Sequence, residues 1–223
     1  MSRLVIAIDG PAASGKSSVA RGLAAQLGIH YVNSGTMYRA ITWHVLRAGV
    51  DLRDEESILP VVFSAAIRSG FENGQSFIEI DGFRPTHELR EESVNQAVST
   101  VSALPAVRSR LTNELHALAR LQDCVVEGRD IGSVVFPNTP YKIYLDASAE
   151  VRQRRRSAEG QQDEVAARDR VDSSRHTAPL RIAPDAVVID TTHLDLEATI
   201  AAVRNALLSR GLPLSTDSSI SAQ

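Results

Sequence analysis

Apolar positions follow two rhythms along this chain. Short apolar stretches at Leu4–Ile8, Ile29–Val32, Cys124–Val126, Tyr141–Leu145 and Ala186–Ile189 are bounded by polar or glycine-containing segments and read as buried strands. Between them, apolar residues recur at helical spacing: Ala20, Leu23, Ala24 and Leu27, then Met37, Ile41, Val45 and Leu46, and finally Leu196, Ile200, Val203 and Leu207. Asn33 or Ser34, Asp54 and Asp195 stand where N-caps are needed, and Gly28 and Gly211 stand at helix ends. The Asp54 cap starts a helix through Ser64, and helical patterning resumes near Glu88 and continues to about Leu121. Pro105 interrupts it and suits the first turn of a new helix. In between, Asn73-Gly74 and Asp81-Gly82 are turn dipeptides, and Ile78 and Ile80 alternate with Glu79 and Asp81. This predicts a small antiparallel sheet inserted between Ala66 and Arg84. Five strands alternating with helices predict an α/β fold, a five-stranded parallel sheet with helices on both faces.

The chemistry starts where the first strand ends. Gly10-Pro11-Ala12-Ala13-Ser14-Gly15-Lys16-Ser17-Ser18 lies between a strand and a helix, the context that makes Gly-x4-Gly-Lys-Ser a phosphate-binding loop and the fold P-loop NTPase-type. Its glycines let successive N–H groups turn inward as an anion nest, reinforced by the helix N-terminus. Lys16 is the candidate for the β- and γ-phosphates and Ser17 for Mg2+. Asp9 and Asp130 are candidates for water-mediated contact with that ion. Arg39 lies in the first turns of a helix, where its charge opposes the dipole; it binds an anion there or is an incidental surface residue. Glu127-Gly128-Arg129-Asp130 closes a strand, at the end where open α/β sheets place ligands. Arg168, Asp172 and Arg175 share a helix face, as a salt-bridge ladder or as ligand contacts.

Composition changes this picture little. The chain has 223 residues, 43% hydrophobic, enough for one domain with a sizeable core. A net charge of −3 gives no general attraction to nucleic acid. No apolar run approaches the roughly 20 residues of a membrane helix. Arg3 leads straight into the first strand without a signal-peptide pattern, and Cys124 is the lone cysteine, so the cytoplasm is the expected compartment. The basic residues are uneven: of 24, only Lys16 and Lys142 are lysines. Arg152, Arg154, Arg155, Arg156, Arg168, Arg170, Arg175 and Arg181 cluster, and guanidinium groups grip phosphate in a bidentate way. Residues 215–223 are polar and serine-rich, and are expected to be disordered.

Taken in order, IDGPAASGKSS, NSGTMYR, VSTVSALPAVR, VEGRDIGSVVFP, KIYLDAS and RDRVDSSR resemble the bacterial cytidylate kinase family over nearly the whole chain. The resemblance implies transfer of phosphate from ATP, with Mg2+, to CMP or dCMP by a monomer. Carried over, Gly10 to Ser18 hold the ATP phosphates. Ser34, Arg108, Asp130 and Arg175 surround the cytosine, and Ser99, Arg168 and Asp172 lie near the sugar. Arg39 and Arg129 hold the CMP phosphate. The insert at 62–92 becomes the nucleoside-monophosphate-binding region. Residues 152–175 become a short arginine-rich lid, in which Arg155 and Arg156 match the family's paired arginines and Arg155 joins Lys16 and Arg129 as a catalytic candidate. Only Ser157 to Ala167 separate Arg156 from Arg168, a shorter segment than some family members carry.

Overall fold

The computed structural model describes residues 3–158, 169–170 and 180–213. Its strands are β1 (Val5–Asp9), β2 (His30–Asn33), β3 (Ile67–Glu72), β4 (Gln75–Ile80), β5 (Cys124–Gly128), β6 (Lys142–Asp146) and β7 (Val187–Asp190), in one sheet ordered β3-β4-β2-β5-β1-β6-β7. The helices are α1 (Lys16–Leu27), α2 (Ser34–Arg47), α3 (Glu55–Ser64), α4 (Glu92–Ala103), α5 (Pro105–Leu121), α6 (Ala149–Ala158) and α7 (Leu196–Leu208). The five expected strands are β2, β5, β1, β6 and β7, all parallel, with helices on both faces.

The sheet has seven strands rather than five, because the insert is not a separate sheet. Asn73 and Gly74, both at positive φ, close the β3–β4 hairpin as the turn dipeptide predicts. The hairpin then docks on the outer edge of β2, where Tyr31 pairs with Gln75 and the Tyr31 N–H donates to Gly74 O at 2.9 Å. An uncovered β2 would leave unpaired backbone groups at the sheet edge.

Strand alternation sorts the apolar residues into two cores. Ala7, Val32, Cys124 and Val126 face one way, onto Met37, Ile41, Ile58, Val101, Leu111 and Leu115 of α2 to α5. Ile6, Ile8, Tyr31, Val125 and Ile143 face the other, onto Val19, Leu23, Ile200 and Val203 of α1 and α7. The caps act as predicted: Asn33, rather than Ser34, accepts from the Thr36 N–H at 3.0 Å, and Asp195 accepts from Ala198 N–H at 2.8 Å. Pro105 opens α5. A π-helical turn, Ile131–Val135, follows β5 and has no counterpart in the sequence pattern. No helix among the described residues is long and apolar enough to cross a membrane.

Candidate active site

The C-terminal ends of β1, β5 and β2 open into a cleft of about 230 Å3. The phosphate loop forms one wall. Gly10 must be glycine: a Cβ there would lie 2.2 Å from Leu145 O. Gly15 takes a left-handed conformation (φ 87°) and turns the chain into α1. Lys16 is buried and its Nζ donates to Pro11 O at 3.0 Å. Ala12, Ala13, Gly15, Lys16, Ser17 and Ser18 line the cleft, while Ser14 is buried beneath the loop.

Ser34, Arg39, Ser99, Arg108, Arg129 and Asp130 line the same cleft, so sites read from widely separated motifs converge. Ser34 opens α2, and its hydroxyl donates to Glu127 O at 2.8 Å. Arg39 donates to Leu89 O at 3.1 Å and to Asn95 Oδ1 at 2.6 Å, which ties it to α4 and the turn before it. Arg129 donates to Gly10 O at 3.2 Å, so the β5 end is held against the phosphate loop. Arg108 and Asp130 form a buried ion pair; Arg108 also donates to Ser102 O at 3.2 Å and stands 5.3 Å over the Tyr38 ring. Paired and hydrogen-bonded charges are the form in which buried charge is tolerated.

The arginine cluster divides by role. Arg156 lines the cleft. Arg155 instead donates to Thr191 Oγ1 at 3.0 Å and Thr191 O at 2.8 Å, and the Thr191 hydroxyl donates to Ser14 O at 3.2 Å. Arg152 donates to Ala12 O at 3.3 Å and pairs with Asp169, whose other oxygen accepts from the Ala12 N–H at 3.2 Å. Arg154, Arg170 and Arg181 are exposed. Arg168, Asp172 and Arg175 lie outside the described residues, as does the tail from 215 to 223.

Two acidic residues do work that their sequence positions do not announce. Asp9 is buried, accepts from the Ile131 N–H at 2.8 Å and the Gly132 N–H at 2.7 Å, and is raised to about 7 by burial, with a smaller push from Asp130. Glu127 accepts from the Ser17 hydroxyl at 2.8 Å and the Tyr31 hydroxyl at 3.2 Å. Burial raises Tyr31 well above the usual phenol range, so it stays a donor. Tyr31 in turn accepts from Asn33 Nδ2 at 3.1 Å, which links Ser17 to the cap of α2. The signal for Glu127 was an acid closing a strand; what gives it a role is that β5 lies beside β1, with Ile8 opposite Glu127.

The sequence model of the family described as cytidylate kinase matches residues 6–208. Among similar proteins, a cytidylate kinase of Geobacillus thermodenitrificans is 43% identical over 212 residues, covering 90% of this chain and 95% of that protein. A cytidylate kinase of Nocardia farcinica is 45% identical over 209 residues (88% and 90% covered), and one of Mycobacterium leprae is 45% identical over 213 residues (90% and 94% covered). A phosphate loop and an arginine-lined wall share one cleft, and the family model and relatives match nearly the whole length, so the chain belongs to the cytidylate kinase family.

Proposed function

We propose that this chain transfers the γ-phosphoryl group of ATP to CMP and dCMP, giving ADP with CDP or dCDP. The observation that carries the reading is the single cleft in which Lys16 and Ser17 face Arg39, Arg129 and the Arg108–Asp130 pair. Phosphoryl transfer needs in-line positioning and charge stabilisation more than covalent help from the protein. The acceptor phosphate is already an anion near neutral pH, so a general base is not required.

Gly10 to Ser18 cradle the donor phosphates, with Lys16 on the β- and γ-oxygens. Arg39 and Arg129 hold the acceptor phosphate. Ser99, Arg168 and Asp172 are assigned to the sugar. Ser34, Arg108, Asp130 and Arg175 are assigned to the base. Cytosine carries an amino donor where uracil has a carbonyl acceptor, so a buried acceptor in this group, Asp130 directly or through Arg108 and Ser34, would penalise UMP by a few kcal/mol, about 1–3 for one unsatisfied group. Arg156 lines the cleft and is the better placed of the paired arginines to meet transferring charge; Arg155, held at Thr191, fixes α6 against the phosphate loop. Residues 152–175 act as the lid and 62–92 as the acceptor-side insert.

The hydroxyl of Ser17 and the carboxylate of Glu127, 2.8 Å apart, are hard oxygen donors that suit Mg2+. Held there with ATP, that ion would supply neutralisation of the phosphate charge. The same reading takes the chain to act as a monomer in the cytoplasm. The test is a coupled ADP-release assay with Mg-ATP against CMP, dCMP, UMP, AMP and shikimate. Turnover strongly favouring CMP and dCMP is expected; preference for another acceptor would overturn the base assignment.

A further inference from the structure

We propose that Asp9 is a positioning residue for transfer: its carboxylate locks the segment carrying Arg129 and Asp130 onto the phosphate loop. This rests on the roles given above to those two residues. Asp9 is the last residue of β1 and directly precedes Gly10 of the loop. Both its oxygens are engaged, one by the Ile131 N–H at 2.8 Å and the other by the Gly132 N–H at 2.7 Å. Those are the first two amides of the π-helical turn Ile131–Val135, which have no partner within the turn itself. A second tether crosses in the opposite direction, from the Arg129 guanidinium to Gly10 O at 3.2 Å. Asp130 sits between the two tethers and carries the ion pair to Arg108.

The local packing is built for this contact. A Cβ on Gly132 would stand 3.1 Å from Lys142 Cγ and 3.4 Å from Asp9 Oδ2, so glycine allows the amide to approach. The charged and titratable groups around Asp9 are Lys16 from the phosphate loop, Asp130 and Arg129 from the β5 end, and Lys142 and Tyr144 from β6. Lys142 is occupied by Asp185 at 2.8 Å and by Pro137 O at 2.6 Å. Only a carboxylate accepts at both oxygens without orienting a proton or an NH2 group at one of the amides. Burying it is costly in proportion: burial lifts Asp9 to about 7 in spite of its two N–H partners. A residue needed only to fill this space would not require that charge.

The test compares Asp9→Asn with wild type and with Arg129→Ala. Asn keeps the shape and loses one of the two amide contacts. The expected result is a fall in kcat of about 100-fold and a rise in KM for CMP, with ATP affinity, read directly by calorimetry, within twofold of wild type. An equal loss of ATP affinity would show that Asp9 merely supports the loop and would overturn the proposal, as would unchanged kcat and KM. If Arg129→Ala leaves KM for CMP untouched, the site reading itself fails; if Arg129→Ala raises it and Asp9→Asn does nothing, only the role of Asp9 fails. Should Asp9→Asn not fold, the wild-type enzyme still decides: the amide resonances of Ile131 and Gly132 should titrate together with the Asp9 carboxyl carbon, and independent titration would refute the clamp.

Discussion

Removing Arg108 should separate stability from specificity in one experiment. Arg108 and Asp130 are 5% and 3% exposed, so truncation of the arginine strands a buried carboxylate. Breaking such a pair from one side costs about 3–5 kcal/mol. For a chain of 223 residues, each kcal/mol moves Tm by roughly 2–4 °C, so Arg108→Ala should melt about 6–20 °C below wild type. Replacing both partners with apolar residues of similar size, Arg108→Met with Asp130→Leu, removes the stranded charge and should recover most of that loss. Function should not recover with it. In the ADP-release assay, kcat/KM for CMP should fall ~100-fold or more in both the single and the double variant, and that for UMP by less, so that discrimination collapses. Calorimetric Tm and paired CMP and UMP kinetics read the two effects independently. A double variant as unstable as Arg108→Ala would refute the account of the pair as a stranded-charge problem, and equal losses for CMP and UMP would remove it from base choice.

Other consequences can be checked on the same footing. Glu127→Gln should raise the Mg2+ concentration for half-maximal rate by ~10–100-fold, the scale of supporting-ligand losses; an unchanged Mg2+ curve would exclude Glu127 from the ion's surroundings. Arg156→Ala should lower kcat by ~10³-fold or more, while Arg155→Ala should lower Tm by releasing Thr191; the reverse pattern would swap their roles. Lys16→Ala should nearly abolish turnover with the circular dichroism spectrum intact. Asp9 is raised from 3.8 to about 7, so the native state holds its proton more tightly than the unfolded chain does. The stability it contributes is full below about 3.8 and lost as pH rises through about 7, ~4 kcal/mol over about three units. Catalysis needs the ionised form, so kcat/KM should rise across the interval in which Asp9-dependent stability falls; denaturant melts at pH 5 and 8, with Asp9→Asn as reference, check the sign.

The parallel strands were legible because β1, β5 and β6 are apolar runs ended by polar chemistry, and the phosphate loop because its spacing is rarely satisfied between a strand and a helix. The hairpin was legible as a hairpin from Asn73-Gly74, but its union with the main sheet depends on the free edge of β2, which no local pattern encodes. Neighbouring strands were equally hidden. Glu127 acquires its partner Ser17 only because β5 lies beside β1, and the π-helical turn exists where Asp9, from 122 residues away, takes the Ile131 amide. Arg155 and Arg156 look alike in sequence; helix phase alone sends one to Thr191 and the other into the cleft.

The central place of β1 also sets a schedule for synthesis. Its neighbours are β5 and β6, and the first register pair of β1 and β5, Val5 with Cys124, joins residues 119 apart. At roughly 5–20 residues per second, the ribosome needs about 6–24 s to produce that partner. For that interval Ile6 and Ile8, buried on both neighbours' account in the finished sheet, have no strand to pair with. The β1 segment is therefore made well before the strands that enclose it, and the phosphate loop beside it cannot be assembled until β5 and β6 have followed.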